Sequence, residues 1–307
     1  MSDNRKVMLV ANPVSGKKAV ANVLSDICRV FLELGWIPSV FVTGGRGDAT
    51  DYVKKYGGDF GRIVAIGGDG TMNETVTGII EAGLDTPFAF IPSGTTNDFA
   101  STHHLPTDMI EASRLAAGGK IRMLDACRFN ERYFMFHCGC GFFAGVVNDT
   151  YQEMKNALGY FAYILEGMSN ALSIAPKHAV FNIDGKSFEE DFIYLGLLST
   201  LSLGGNITTL PADVVRADDG RFEVFLAKAP GDIFELGEEL KEFTGKNFNG
   251  EYISLFKMEK CTIDSETELE WSLDGEPYLG SDKKHVEIEV LPRRISFVSS
   301  DGDETLS

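Results

Sequence analysis

The sequence contains no apolar run long enough to span a membrane, and it lacks the hydrophobic segment of a signal peptide. Its polar residues 1–6 lead directly into an apolar run at residues 7–11. We therefore expect a cytoplasmic protein that meets any lipid from the aqueous side, through a peripheral and transient contact with the membrane surface.

Basic residues and cysteines are also scarce. The chain has 28 Lys and Arg residues against 45 Asp and Glu residues, which gives a formal net charge of −17. Nucleic acids bind clustered Lys and Arg, so this charge argues against a nucleic-acid partner and against a strong overall attraction to anionic membranes. The five cysteines are odd in number and have no framework spacing, which is typical of a reducing compartment.

Two familiar site signatures are missing or misplaced. The phosphate loop G-x-x-x-x-G-K-[ST] is absent, which excludes an ordinary P-loop NTPase. Residues 139–144 fit a loose dinucleotide-binding fingerprint, but no βαβ pattern surrounds them. On a strand, Cys138 and Cys140 would share a face while His137 points away, so we expect buried thiols there and not a metal site.

The first 120 residues alternate between strand and helix patterns. The predicted elements are strands at 7–11, 39–43, 63–66 and 88–91, and helices at 20–34, at 48–55 and after Asp69. This order predicts a parallel, doubly wound sheet, in which ligands bind beyond the carboxyl ends of the strands. We expect an α/β nucleotide-binding domain at residues 1–122, joined by a C-terminal return at about 293–307.

The second half of the chain has a β-rich pattern. Its predicted elements are strands at 179–184, 192–198, 221–227, 254–263, 268–273 and 285–290, helices at 158–175 and 233–243, and a last strand at 295–298. Many short strands separated by turn signals predict a sandwich-like second domain at residues 123–292. A chain of 307 residues is long enough for both domains.

The segment Ile63–Ile80 combines a buried strand, a glycine-rich turn and the start of a helix. Gly67, Gly68 and Gly70 allow backbone N–H groups to approach an anion closely, and the helix start favours negative charge. Asp69 would repel a bare phosphate, so a carboxylate at this point indicates an intervening cation such as Mg²⁺. The pattern predicts a Mg-nucleotide site, with an ordinary βα turn as the alternative.

Five motifs in this sequence are shared with a known family. They are NPVSGKK at residues 12–18, GGDGTMNE at 67–74, IPSGTTNDFA at 91–100, RADDGRFEV at 216–224 and SLDGEPY at 272–278. In this order, over nearly the whole chain, they resemble the bacterial soluble diacylglycerol kinase family, whose catalytic domain is shared with sphingosine and ceramide kinases. GGDGT alone is less specific, because NAD kinases carry it too.

The resemblance implies an ATP site on the first domain and assigns catalytic roles. The residues that correspond to nucleotide contacts are Asn12, Pro13, Val14, Ser15, Gly16, Thr43, Gly67, Gly68, Asp69, Gly70, Thr71, Met72, Asn73 and Thr95. Asp69, Asp98 and Asp125 correspond to an acidic network around the catalytic magnesium. Glu276 corresponds to the general base.

A second, structural magnesium is implied at a late turn. Asp219 corresponds to its side-chain ligand, and main-chain oxygens are expected from Arg216 and Arg221. The residues alone favour a simpler interpretation, in which this turn and Asp274–Glu276 are ordinary turns with exposed acids. In the same interpretation, Asp125 is a capping residue before a strand.

The activity implied by the resemblance is that of an ATP-dependent lipid kinase. Such an enzyme transfers the γ-phosphate of ATP, its co-substrate, to the hydroxyl of a lipid alcohol, with Mg²⁺ as cofactor. The favoured reaction converts diacylglycerol to phosphatidic acid in phospholipid biosynthesis. Two alternatives stay open: an NAD kinase, and a non-catalytic nucleotide-sensing protein of the same fold. The sequence does not decide which lipid is used, and a homodimer stays open.

Aromatic and glycine residues are concentrated at residues 133–147. One hypothesis makes this segment an apolar wall for the lipid, and the alternative makes it a buried core strand. The two differ in whether a groove is lined by any of Phe134, Phe136, Phe142 and Phe143.

Overall fold

The structure is a computed structural model that describes residues 4–94, 97–141, 175–200 and 215–300. The chain divides into two compact units, one comprising Met1–Ala126 with Pro292–Thr305 and the other Cys127–Leu291. The predicted helix at 158–175 lies, except for its last residue, outside the described residues.

The first unit contains a parallel sheet. Its strands are β1 (Lys6–Ala11), β2 (Ile37–Val42), β3 (Arg62–Gly67) and β4 (Phe88–Pro92), in the order β2-β1-β3-β4. Neighbouring strands in this order run parallel. Every residue of β3 and β4 is buried, as expected for the inner strands of a sheet with both faces covered. The predicted doubly wound α/β architecture is confirmed.

Helices follow the strands of this unit. They are α1 (Ser15–Glu33), α2 (Asp48–Tyr56), a 3-10 turn at Gly57–Asp59, α3 (Asp69–Glu81), α4 (Asp98–Thr102) and α5 (Met109–Gly118). The apolar stripe of α1, which includes Val20, Ile27 and Phe31, packs into the core with β1 and β3. The pattern analysis missed α4 and α5, although Asp108 caps α5 by accepting hydrogen bonds from the N–H groups of Ile110 and Glu111.

Two long strands were also missed or split. β5 (Lys120–Phe129) was not predicted, and the strands predicted at 285–290 and 295–298 are one strand, β15 (His285–Ser299). Pro292 cannot donate a ladder hydrogen bond, and Arg293 has φ = 49°, so the sequence looks interrupted here. The strand continues because the N–H of Arg293 donates to the Asp125 carboxylate at 2.6 Å.

The second unit is built mainly from antiparallel strands. They are β6 (Arg132–Phe134), β7 (His137–Gly141), β8 (Lys177–Ile183), β9 (Lys186–Leu198), β10 (Phe222–Lys228), β11 (Ile253–Met258), β12 (Lys260–Asp264), β13 (Trp271–Leu273) and β14 (Glu276–Pro277). Helix α6 spans Ile233–Thr244. β9 pairs antiparallel with β7, β8 and β10, and this unit has the predicted β-rich character.

The strand predicted at 254–263 is two strands in the structure. β11 pairs with β10, whereas β12 pairs with β8 and β15, so the chain changes partners at Glu259. The Asp184 carboxylate accepts hydrogen bonds from the N–H groups of Glu259 and Lys260 at 3.1 and 2.8 Å. A distant side chain therefore satisfies the backbone at the break, which a local pattern does not reveal.

The aromatic segment after β5 packs as core where it is described. Phe134 is fully buried and stacks edge-to-face on Phe222 at 5.4 Å, and Phe136 is also buried. Phe142 and Phe143 lie outside the described residues. The core interpretation therefore holds for Phe134 and Phe136.

Candidate active site

The glycine loop joins β3 to α3 and approaches a second loop closely. A Cβ atom on Gly67 would collide with the side chain of Thr71, and one on Gly94 would lie 2.8 Å from the Cα of Gly68. The N–H of Ser93 donates to the carbonyl of Gly67 at 2.7 Å. The glycines therefore permit a backbone-to-backbone contact between the loops that follow β3 and β4.

Asp69 links these two loops through its side chain. It is the first residue of α3, and its carboxylate accepts hydrogen bonds from the N–H groups of Asp98 at 3.1 Å and Phe99 at 3.3 Å. Those two N–H groups belong to the first turn of α4, where intrahelical acceptors are absent. The structure thus brings the Asp69 carboxylate to the backbone of Asp98, while their roles in an acidic network stay a prediction.

Asn97 was missed by the sequence analysis. It has φ = 49°, a left-handed conformation that asparagine tolerates better than most residues. Its side-chain amide accepts a hydrogen bond from the N–H of Gly94 and donates one to the carbonyl of Gly94, both at 2.8 Å. Asn97 thus holds the backbone of Gly94 on both sides, while Thr95, a predicted nucleotide contact, lies outside the described residues.

The loop after β1 is tied to the same place. The N–H of Asn12 donates to the carbonyl of Ile66 at 2.9 Å, and its amide donates to the Thr71 hydroxyl at 3.3 Å. The hydroxyl of Ser93 donates to that of Ser15 at 3.0 Å. The loops after β1, β3 and β4 therefore meet at the carboxyl ends of their strands, where ligands of such sheets bind.

The remaining predicted nucleotide contacts differ in exposure. Val14 is 67% exposed, whereas Pro13, Gly16 and Gly70 are half-buried. Three of the predicted contacts are buried, namely Thr71, Met72 and Asn73. A fourth, Thr43, extends β2, because its N–H donates to the carbonyl of Ala11. Because the Met72 side chain is fully buried, a contact from this residue to a nucleotide has to come from its backbone.

Asp125 is a buried residue inside β5, with 2% exposure. The interpretation of Asp125 as a capping residue before a strand is wrong, because its carboxylate instead receives the N–H of Arg293. This contact fixes the carboxylate against the neighbouring strand β15.

Glu276 begins β14 in the second unit and is exposed. It pairs with Leu273 across a two-residue turn formed by Asp274 and Gly275, whose φ angles are 48° and 83°. Positive φ at both positions is the signature of a tight type I′ hairpin turn. The backbone therefore presents Glu276 at the end of a short hairpin.

Asp274 is not an exposed turn acid, contrary to the simpler interpretation. It is 2% exposed, and its carboxylate accepts hydrogen bonds from the N–H groups of Met135, Phe136 and His137 at 2.8, 3.0 and 3.1 Å. The Asp274 carboxylate thus satisfies three backbone N–H groups that are wholly or partly shielded from water. Asp274 therefore anchors the hairpin that carries Glu276, and an Asp-Gly pair in sequence does not reveal this role.

The predicted burial of the thiols near His137 is confirmed. All five cysteines are free, and burial raises the pKa of Cys138 and Cys140 well above the usual thiol value. Burial lowers the pKa of His137 to about 4, so its imidazole is neutral near pH 7 and lies 3.1 Å from the Tyr194 hydroxyl. Among the described residues, no cluster of three or more His, Cys, Asp or Glu side chains could hold a metal ion.

The turn around Asp219 contains cationic side chains that the sequence analysis did not consider. The ammonium of Lys257 lies 2.6 Å from one Asp219 carboxylate oxygen, and the N–H of Arg221 donates to the other at 3.1 Å. Arg216 pairs with Asp218 at 3.4 Å. The main-chain oxygens expected from Arg216 and Arg221 stay a prediction.

Glu223 lies beside this turn. It is fully buried, and Lys257 is 3.4 Å from its carboxylate. Burial raises the pKa of Glu223 to about 8, although Lys257 acts in the opposite direction. A fully buried acid next to an exposed turn has no signature in the sequence.

No helix in the described parts of the chain is long and apolar enough to cross a membrane.

The comparisons with known proteins concern both units. The model of the diacylglycerol kinase catalytic domain matches residues 6–129. The diacylglycerol kinase of Bacillus subtilis (strain 168) is 28% identical over 274 residues, which cover 89% of this chain and 90% of that protein. A probable lipid kinase, YegS-like, of Shewanella frigidimarina (strain NCIMB 400) is 29% identical, over 93% of this chain and 92% of that protein.

The fold has a matching precedent among solved structures. A putative diacylglycerol kinase from Bacillus anthracis str. Sterne superposes with a TM-score of 0.78 at 24% identity, over 98% of this chain and 99% of that one. At this identity the superposition shows the fold alone, while the family model and the relatives support a kinase. The chain is a kinase whose residues 6–129 match the diacylglycerol kinase catalytic domain, and it is similar to bacterial diacylglycerol kinases over about nine-tenths of its length.

Proposed function

We propose that this kinase transfers the γ-phosphate of ATP to the hydroxyl of a lipid alcohol, and that diacylglycerol is the preferred acceptor. The observation that carries the proposal is the position of Asp69, which joins the loops after β3 and β4 through the N–H groups of Asp98 and Phe99. The choice of acceptor is supported by relatives named diacylglycerol kinase that match about nine-tenths of this chain.

The first unit supplies the nucleotide site in this proposal. Phosphoryl transfer depends mainly on positioning and on stabilising charge. The loops around Asn12, Gly68 and Gly94 place backbone amides and small side chains at the carboxyl ends of β1, β3 and β4. Backbone N–H groups in such turns bind phosphate oxygens well.

The chemistry of the acidic side chains of this unit supports Mg²⁺, although no three of the described Asp, Glu, His and Cys side chains form a group that could hold a metal ion. The donors Asp69, Asp98 and Asp125 are carboxylates, and Mg²⁺ prefers oxygen ligands and keeps several of its waters. Asp69 and Asp125 are both oriented by backbone hydrogen bonds, which favours a site with fixed geometry. When bound, the ion would offset the negative charge of the phosphates.

Glu276 accepts the proton of the lipid hydroxyl in this proposal. A general base has to be accessible to its substrate, and Glu276 is exposed at the end of a tight hairpin. Asp274 contributes by fixing the hairpin to the start of β7. Because diacylglycerol resides in membranes, the proposal includes a transient, peripheral membrane contact from the cytoplasmic side.

A labelled-ATP assay over an acceptor panel tests the proposal. The panel contains diacylglycerol, sphingosine and ceramide in mixed micelles, with NAD⁺ in solution as a further acceptor. We expect labelled phosphatidic acid to be the main product. Labelled NADP⁺ would instead identify an NAD kinase, and ATP binding without any product would identify a nucleotide-sensing protein.

A further inference from the structure

The turn around Asp219 is the place where the family resemblance implies a structural magnesium. Gly220 has φ = 76°, and the N–H of Arg221 folds back to the Asp219 carboxylate at 3.1 Å. This hydrogen bond occupies Oδ1 of Asp219. A cation at this turn would therefore bind mainly through Oδ2.

The ammonium of Lys257 already contacts Oδ2 of Asp219. This lysine lies on β11, directly across from Glu223 on β10, and its ammonium is 2.6 Å from Oδ2 of Asp219. The same ammonium lies 3.4 Å from Oε1 of Glu223, which is fully buried. One ammonium therefore lies between two carboxyl groups, and it is in direct contact with Asp219 as an ion pair.

The surroundings do not fit an additional divalent ion. Mg²⁺ binds oxygen ligands at about 2.0–2.1 Å and requires nearly ideal octahedral geometry. An ammonium in contact with Oδ2 blocks that approach and repels the ion. Arg221, which pairs with Glu259 at 3.0 Å, adds a second positive charge to the turn.

We propose that the ammonium of Lys257 takes the place of a structural metal ion at the Asp219 turn, so that this part of the fold does not require a divalent cation. The inference does not depend on the proposed function, because it concerns stability. Removing Lys257 leaves a buried carboxylate and a neighbouring carboxylate without their cation, which is the situation that Mg²⁺ relieves.

Thermal unfolding without nucleotide, in EDTA and in millimolar Mg²⁺, tests the proposal. We expect the Tm of the parent to be the same in both solutions. Lys257→Met, which keeps the length of the side chain but removes its charge, should have a Tm lower by about 5 °C in EDTA. Mg²⁺ should restore roughly half of that loss, because an ion that binds only the folded state stabilises it.

Two control variants locate the effect. Lys260→Met removes an exposed lysine that pairs with Glu289 at 2.9 Å, and its Tm should not respond to Mg²⁺. Adding Asp219→Asn to Lys257→Met should abolish the response to Mg²⁺. A Mg²⁺-dependent rise of the parent Tm that disappears in Asp219→Asn would overturn the proposal, as would a Lys257→Met variant that ignores Mg²⁺.

A measurement on the parent covers the case in which Lys257→Met does not fold. Bound Mn²⁺ is counted by electron paramagnetic resonance in the parent and in Asp219→Asn. Equal numbers in the two proteins support the proposal. One ion fewer in Asp219→Asn contradicts it.

Discussion

Asp274 and His137 are joined by two reciprocal hydrogen bonds. The N–H of Asp274 donates to the carbonyl of His137 at 2.7 Å, and the N–H of His137 donates to the Asp274 carboxylate at 3.1 Å. The hairpin that carries Glu276 is therefore fastened to the start of β7 by backbone and side chain together.

Asp274→Ala should destabilise the protein and reduce turnover. Two buried N–H groups and a partly buried one lose their acceptor, and each unsatisfied group costs about 1–3 kcal/mol, so we expect a total loss of about 3–9 kcal/mol. Chemical denaturation measures this loss. Asp282→Ala is the control, since Asp282 accepts two backbone hydrogen bonds at an exposed position, and its effect should be much smaller. Equal effects would show that Asp274 is not a special anchor.

Glu276→Ala should leave the fold and ATP binding intact but lower kcat by about 100-fold or more, because the lipid hydroxyl loses its proton acceptor. The measurement is kcat at saturating lipid, with Tm as the check on folding. Glu270→Ala, which removes another exposed acid before the same hairpin, serves as the control and should keep normal kcat. A near-normal kcat in Glu276→Ala would mean that Glu276 is only a turn residue.

Asp69→Ala should affect both the structure of the nucleotide site and its catalytic chemistry. The N–H groups of Asp98 and Phe99 lose their acceptor, and the acidic network loses one carboxylate. We expect a loss of kcat on the order of 100-fold or more, together with weaker binding of Mg-ADP in calorimetry. Asp69→Asn keeps an acceptor for one of the two N–H groups, so it should lose less stability than Asp69→Ala while still losing kcat. If Asp69→Asn were fully active, the carboxylate would have only a capping role.

His137 should make the protein less stable in acid. Burial lowers its pKa in the folded state to about 4, below the unfolded value of 6.5. The unfolded chain therefore binds the proton more tightly, and the contribution is present above pH 6.5 and is lost as the pH falls towards 4. We expect about 1–3 kcal/mol less stability at pH 4.5 than at pH 7.5 from this group.

His137→Gln should reduce that pH dependence, measured by urea unfolding at both pH values. His178→Gln is a control of opposite sign. A hydrogen bond that the His178 ring donates to the Asp191 carboxylate raises the pKa of His178, so its contribution is present at low pH and is lost as the pH rises through its folded-state pKa. A parent and a His137→Gln variant with identical pH profiles would contradict the prediction.

Local patterns predicted the four parallel strands and the first three helices of the α/β unit, but not α4, α5 or β5. Continuous apolar runs identify β1, β3 and β4, and the spacing of Val20, Ile27 and Phe31 identifies α1, because burial selects for these periodicities within one segment. The glycines at positions 67 and 68 likewise predicted that the backbone of this loop closely approaches another group. The five family motifs identified the chain as a kinase before any geometry was known.

Only the tertiary structure determines the roles of residues whose hydrogen-bond or ion-pair partners are distant in sequence. The buried Asp125 carboxylate accepts a hydrogen bond from the N–H of Arg293. The buried Asp274 carboxylate accepts hydrogen bonds from the backbone at Met135–His137. Lys257 stands beside Asp219 because β10 and β11 pair in one register. Propensity and periodicity describe a chain segment by segment, whereas satisfying buried polar groups is a condition on the whole fold.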